Sequence, residues 1–285
     1  MDKIVGKVKK QIEKAKIKRY FKKLIEILSL KELRILPAYL AYSFVLAVVP
    51  ILTIIVIVAG FFSISIDSVI SLLTDLLPSY ASRVVVDAIS GQSFDFSVGL
   101  LNIVTFCIAA NGMYAIVSAS NDLYKIENSS QIKDRFRAFI ILLIIISAIL
   151  FLILVPMLGD KIILLLGRYE SLNKIVENIL LIYKAIKWPI TFLFIFFNIF
   201  YFRLIYSIAP SYRIDKSSTT LGAFITTVGW VIATAIFSYY IKYFAKYDLI
   251  YGGLSSIIML LIWFYILSFI LILGIVINST EYNKK

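Results

Sequence analysis

LIYGGLSSIIMLLIWFYILSFILILGIVINST, residues 249–280, is a run of 32 residues without a charge. About 20 apolar residues in a helix cross the ~30 Å hydrocarbon core of a bilayer, so this run is long enough by itself. Lipid offers the backbone no hydrogen-bond partner, which leaves helices and closed barrels as spanning structures. A continuous Leu/Ile/Phe run lacks the period-2 alternation of a barrel strand. The stretch reads as a membrane-spanning helix.

Working outward, five more uncharged runs extend from Ile35 to Ile66, Phe96 to Asn121, Ala138 to Gly159, Trp188 to Phe202 and Ser217 to Ile241. The Trp188 run is short, and reaches spanning length once Arg203 draws its long side chain toward the interface. The whole chain is 61% hydrophobic with a mean hydropathy of +0.93. The expected fold is all-α, a polytopic membrane helix bundle of six transmembrane helices with amphipathic interfacial helices. Its spans are placed at about 35–62, 97–120, 138–159, 188–209, 218–241 and 250–278. Residues 1–34 are expected to form a cytoplasmic basic amphipathic segment, 35–280 the membrane domain and 281–285 a cytoplasmic tail. The first run starts late, at Ile35, and lacks a small-residue cleavage site, so it is read as a retained span and not a signal peptide.

Charge sets the orientation. Lys and Arg number 21 in the N-terminal segment, the 122–137 connection, the stretch around Arg203 to Lys216 and the tail, against 8 in the alternate segments. The positive-inside rule then places both termini in the cytoplasm. The first 34 residues alone carry 12 basic and 4 acidic residues. Between Ile4 and Leu30, Val5, Val8, Ile12, Phe21, Leu24 and Leu28 recur near helical spacing among lysines, the pattern of a helix lying on anionic lipid. Nucleic acid would use the same charge, but no reader module accompanies it, so the expected partners are the lipid bilayer and its anionic lipids.

The chain has no histidine and one cysteine, Cys107. That removes His-based triads, His/Cys zinc sites and His-ligated haem, and no cofactor is expected. Cys107, inside the second run, reads as a small packing residue. No Asp or Glu falls within an uncharged run, which argues against a pump built on buried carboxylates. Asn102, Asn111, Asn198, Asn278, Thr226 and Thr227 are expected chiefly to tie helices together. Arg203 is the one charge interrupting a span, and snorkelling competes there with binding an anion.

The connections on the outer side are not loop-like. Val69, Ile70, Leu73, Leu76 and Leu77 precede Pro78, with Val84, Val85 and Ile89 after it and Asp67, Asp75, Arg83 and Asp87 interspersed. Two short amphipathic helices are expected there. The 160–187 connection repeats the theme, so the two together could form a lid. Pro37 and Pro50 break the first span, with a kink expected near Pro50. Gly252-Gly253 reads as a tight turn into the sixth helix.

Leu40-Ala41-Tyr42 followed by Pro50, Asn121-Asp122-Leu123-Tyr124, Tyr206 with Pro210, Gly222, Tyr251-Gly252 leading to Trp263-Phe264-Tyr265, Leu273-Gly274 and Asn278 together resemble the YihY/virulence factor BrkB family of bacterial inner-membrane proteins. The resemblance covers roughly residues 20–282. Ala47 stands where that family commonly has Ser, Ser207 where an Arg often follows the Tyr, and Val276 where a Glu usually follows the Gly. The resemblance implies six spans and a bacterial cell membrane. The family's older label, ribonuclease BN, implies tRNA processing. The residues argue against that, since phosphodiester cleavage commonly needs carboxylate/His metal sites or His acid–base pairs, and the cytoplasmic acids here show no ligand spacing.

Two functions follow, neither an enzyme's. In the first, the protein binds or moves an anionic or lipid-like amphiphile in a cavity among spans one, two, five and six. The candidate contacts are Tyr42 and Pro50 on the first span, Asn111, Asn121 and Tyr124 on the second, and Arg203 and Tyr206 on the fourth. Tyr251, Gly252, Trp263, Tyr265 and Asn278 belong to the sixth. In the second, the protein is a structural or scaffolding component of the envelope with no substrate.

Overall fold

A computed structural model describes residues 26, 29, 31–62, 64–90, 96–127, 129–166, 187–214, 216–243 and 251–282. The N-terminal amphipathic segment, most of the 160–187 connection and the last three residues lie outside these. Among the described residues there are eight α-helices and no strand: α1 (Lys31–Phe61), α2 (Ile66–Leu76), α3 (Ser79–Ser90), α4 (Phe96–Leu123), α5 (Gln131–Leu166), α6 (Lys187–Ile208), α7 (Thr220–Tyr243) and α8 (Ser255–Tyr282). Short 3-10 turns at Lys216–Thr219 and Gly252–Leu254 lead into α7 and α8. Gly252 supplies the left-handed backbone, φ +53, that the second turn requires.

Among the described residues, four helical stretches are long and apolar enough to cross a membrane: Arg34–Phe61, Asn102–Leu123, Thr220–Tyr243 and Ser255–Tyr282. A shorter apolar stretch, Ile195–Ile208, occupies the described half of α6. The helices overrun the uncharged runs. α5 starts at Gln131, seven residues before Ala138, taking Asp134, Arg135 and Arg137 into its first two turns. α1 begins at Lys31 and continues unbroken through Pro37 and Pro50. Its 31 residues make a rod of about 46 Å, well beyond the bilayer core.

The six long helices pack as a ring in which each touches its antiparallel neighbours, α1–α4–α5–α6–α7–α8 and back to α1. One apolar core joins them all, with Leu40 and Ala47 from α1, Met113 and Ile116 from α4, Ile141 from α5, Ile205 from α6, Ala223 from α7 and Ile275 from α8. The last turns of α8 move to the middle, where every residue from Gly274 to Thr280 is buried.

Lipid gives helices no hydrophobic reason to associate, so close backbone approach at small residues has to hold the ring. A Cβ on Gly112 of α4 would lie 2.6 Å from Oγ of Ser43 on α1. On Gly222 of α7 it would collide with the Gly274 carbonyl of α8 and come 2.5 Å from the Asn278 amide. Because α1 turns Ala41, Ser43 and Ala47 inward, its Tyr39 and Tyr42 point out. Cys107 also faces outward, a correction to its reading as a packing residue.

Where α1 ends and α8 begins, α2 and α3 form a hairpin around Pro78. Ser65 caps α2 by accepting the Ser68 N–H, and Leu77 N–H closes it on the Leu73 carbonyl. Val69, Leu73, Val85 and Ile89 pack against Leu52, Ile55 and Ala59 of α1. Tyr80 and Ala81 pack against Phe237 and Ile241 of α7 and Met259 and Trp263 of α8. Asp67, Asp75, Arg83 and Asp87 are exposed. The expected amphipathic pair exists, and its apolar face plugs the bundle.

Gly112→Ala is expected to lower stability by about 1–3 kcal/mol, the usual cost of overpacking. Adding Ser43→Gly removes both atoms in collision and should restore most of it. Thermal unfolding of the purified variants in detergent measures the pair, and failure of the double variant to recover would show that the α1–α4 approach is set elsewhere.

Candidate functional site

The polar end gathers the last turns of α4, α6 and α8 and the first turns of α5 and α7. Three knots of hydrogen bonds hold it. In the first, Asn121 at the end of α4 accepts the Ser211 N–H at 2.7 Å and donates Nδ2 to Ser211 Oγ at 2.8 Å and to Asp134 Oδ2 at 3.2 Å. The Ser211 hydroxyl donates to the other Asp134 oxygen. Arg137, one turn after Asp134, caps the end of α6 by donating to the carbonyls of Ile208 at 3.3 Å, Pro210 at 2.9 Å and Ser211 at 3.0 Å. The Ile208 carbonyl is one that a helix C-terminus leaves unpaired, and the other two belong to the bend that follows. Asp134, only 4% exposed, has its charge balanced by Arg137 Nε at 3.9 Å.

In the second knot, the Tyr206 hydroxyl of α6 bonds Thr226 Oγ1 of α7 at 2.6 Å and donates to the Leu271 carbonyl of α8 at 2.8 Å. Gly274 makes room for it, since a Cβ there would lie 2.8 Å from Tyr206 Cζ. In the third, Asn278 accepts the Gly222 N–H at 2.8 Å and donates to the Thr219 carbonyl at 3.3 Å. Asn278 and Thr226 thus tie helices as expected, as does Asn102, whose Oδ1 accepts from Thr53 at 3.1 Å. Thr227 bonds within α7 to the Ala223 carbonyl.

Two cavities open at this end. One, about 280 Å³, is lined by Tyr124, Lys125, Ile126, Tyr212, Ile214 and Tyr282. The Tyr124 and Tyr282 rings meet edge to face at 5.4 Å. Burial, with Tyr282 adding to it, pushes the Tyr124 phenol above its ordinary value, so it stays protonated and can donate. The other, about 500 Å³, is a groove lined by Ile132, Lys133, Phe136, Arg137, Ile140 and Ile208, where α5 meets α6.

Of the residues singled out from the sequence, Asn121, Tyr124, Tyr206 and Asn278 come together here, and Tyr124 lines a cavity. Tyr42, Tyr251 and Tyr265 stand on the outer surface, 53%, 46% and 43% exposed. Pro50 is buried within α1, and Gly252 is at the far end. Trp263 is buried, its Nε1 donating to Thr234 Oγ1 at 3.3 Å. Asn111 is exposed and accepts a long 3.5 Å contact from Arg135, whose guanidinium lies over the Tyr114 ring. Arg203 is half-buried and engaged within the fold. Neither described cavity lies inside the bundle among α1, α4, α7 and α8. The sequence reading missed Asp134, Arg137, Ser211 and Lys125; the available signal was the Asp134/Arg137 spacing of three just ahead of an apolar run.

Apolar helices of spanning length with a hydrogen-bonded polar rim define a helical membrane protein. The sequence matches the profile of the virulence factor BrkB family over residues 25–285, and the chain belongs to that family. A Bacillus subtilis (strain 168) protein described as ribonuclease-like, YfkH, is 31% identical over 272 residues, 93% of this chain and 96% of its own. A UPF0761 membrane protein of Citrobacter koseri is 30% identical over 60% of this chain, and the match spans 56% of that relative's length. The UPF0761 membrane protein YihY of Escherichia fergusonii is 29% identical over the same shares. No solved structure matches.

Asp134→Ala should cost about 3 kcal/mol, because it strands Asn121, Ser211 and part of Arg137 in a buried setting. Asp122, exposed one residue past Asn121, provides the control, and Asp122→Ala should stay within about 0.5 kcal/mol. Equal unfolding midpoints for the two variants would remove Asp134 from the knot's energetics.

Proposed function

We propose that this protein spans a bacterial cell membrane six times with both termini in the cytoplasm. We further propose that it binds, and moves, an anionic lipid-like amphiphile at its polar rim. Beyond the four stretches of spanning composition, α5 has 36 residues and α6 has 22, each long enough to cross. Arg34, Lys125, Lys133, Arg135, Arg137 and Arg213 stand at the polar end, against Arg83 and Lys242 among side chains described at the other. This asymmetry supports a cytoplasmic polar end.

The observation that carries the binding reading is the α5–α6 groove. Its walls of Ile132, Phe136, Ile140 and Ile208 suit an acyl chain, and Lys133 and Arg137 stand where a headgroup would lie. Basic pockets between helices on the cytoplasmic side suit anionic headgroups. Arg137 is already committed to carbonyls, so Lys133 carries the free charge.

The scaffold reading draws on the close crossings at Ser43/Gly112 and Gly222/Gly274, which make the described bundle a tight body. An enzyme is not proposed. Asp134, the buried acid, is occupied by Asn121, Ser211 and Arg137, and the described residues hold no group of three or more His, Cys, Asp or Glu suited to a metal.

Reconstituted in vesicles, the protein should retain labelled anionic lipid over neutral lipid, and Lys133→Ala should weaken that preference roughly fivefold, the worth of about 1 kcal/mol per surface Lys. Arg203→Leu should leave it unchanged, and a loss there would relocate the site. Transfer between leaflets above protein-free vesicles supports movement; binding without transfer leaves the scaffold reading. Absence of any anionic preference defeats the proposal.

Orientation has its own test. Reporters fused after Lys285 or within 122–137 should read as cytoplasmic, and those within 67–95 or 160–187 as external. A cytoplasmic signal from 160–187 overturns the six-span topology.

A further inference from the structure

The smaller cavity at the polar end shares no lining residue with the α5–α6 groove, and its reading stands apart from it. It is built around the turn that closes α4. Ile126 N–H returns to the Asn121 carbonyl at 2.9 Å and Lys125 N–H to the Asp122 carbonyl at 3.1 Å, the paired bonds of a Schellman cap. That cap places Lys125 in the left-handed region, φ 57, the one non-glycine with positive φ among the described residues. Glycine is the usual occupant of such a position, because a Cβ there crowds the following carbonyl. A lysine held in a conformation it disfavours points to a use for its side chain.

Its surroundings supply the use. Lys125 stands in the cavity wall with Tyr124, Tyr212 and Tyr282, while Ile126 and Ile214 complete the lining. No carboxylate among the described residues lines the cavity. Among the described residues, none of the three tyrosyl hydroxyls has a hydrogen-bond partner and Lys125 has no ion pair. The Tyr124 hydroxyl is in addition closed off from solvent. An ammonium and three phenols are donors gathered around one space, and such a set suits an anion with several acceptor oxygens. A phosphate group offers three or more, a carboxylate two. The aromatic and isoleucine walls suit a short organic portion attached to it. At about 280 Å³ the cavity is just under the usual range for drug-sized ligands and too small for an acyl chain, which would have to leave along the bilayer.

We propose that this cavity binds the phosphate group of an organic phosphate, with Lys125 as its counter-charge and the tyrosyl hydroxyls as its donors. The source is a soluble phosphomonoester or a lipid headgroup, and the experiment separates the two.

Full-length protein in detergent is titrated with inorganic phosphate and glycerol 3-phosphate, and protein in nanodiscs is compared with and without phosphatidic acid in neutral lipid. Saturable binding of at least one organic phosphate is expected, weakened about tenfold or more by Lys125→Ala, and unchanged in Lys242→Ala, which removes a positive charge at the far end of the bundle. Lys125→Gly separates charge from backbone. It should raise the thermal midpoint by releasing the strained turn, yet lose binding as Lys125→Ala does. Binding of glycerol 3-phosphate in detergent identifies a soluble ligand, and binding seen only with phosphatidic acid identifies a lipid. Absence of saturable binding by either organic phosphate, or unchanged binding in both Lys125→Ala and Lys125→Gly, overturns the proposal.

Discussion

The approach of α7 to α8 at Gly222 and Gly274 is the constraint on which the polar end depends. Without side chains at these two positions, the helices come close enough for Asn278 to reach the Gly222 N–H and for the Tyr206 hydroxyl to slide past Gly274 to the Leu271 carbonyl. In lipid a polar group has no water to fall back on, so each of these bonds is needed as soon as the group is buried. Alongside the apolar packing of Phe202 and Ile205, the Tyr206 phenol thereby ties α6 to both α7 and α8. Once α6 is fixed, its last carbonyls present themselves to Arg137, and Ser211 falls between Asn121 and Asp134. The order of dependence runs from two missing side chains to the seating of four helix ends.

Much of this was legible in sequence, and the remainder failed for identifiable reasons. Long uncharged runs gave the helices, and alternation of acids with apolar residues around Pro78 gave the α2–α3 hairpin. Amides and hydroxyls inside apolar runs gave the interhelical ties, because such groups have few other partners. Hydropathy marks the apolar part of α5 from Ala138 and not the helical turns before it, since Asp134 and Arg137 look like loop charges until their partners on α4 and α6 are known. The aromatic residues misled differently. Tyr42 and Tyr265 look like polar groups in need of burial, but α1 gives its inner face to Ala41, Ser43 and Ala47 and α8 its own to Trp263, Leu267 and Leu271. The rings are left outside by the need for close helix contact, a demand of the neighbouring helices that hydropathy does not record. The residues carrying the family resemblance divide in the same way, with Asn121, Tyr124, Tyr206, Pro210, Gly222, Gly274 and Asn278 converging on one end although they span 158 positions of the chain.

The same tightness decides where chemistry can occur. The crossings of α1 with α4 and of α7 with α8 are close at Gly112, Gly222 and Gly274, and the hairpin plugs the far end with Tyr80 and Val85. Both described cavities lie instead where helix ends splay and connections begin. A rigid, knotted rim is suited to this, because its hydrogen-bonded ends hold exposed side chains such as Lys125 and Lys133 at set positions, which side chains on a loose loop would not keep.

The departures from the family pattern point the same way. Val276 is wholly buried, and its carbonyl accepts from both Ser279 and Thr280. A Glu at that position would be a carboxylate at the centre of the bundle, and would need either a cation beside it or a proton on it. Arg137 is spent on three carbonyls and Asp134, and Arg203 is engaged within the fold. Ala47, where a Ser is common, likewise lies in the apolar core. With an apolar residue at positions 47 and 276, no counter-ion is required there. The basic residues left are those at the rim, so the anion binding proposed above would be separated from the helix packing that supports it.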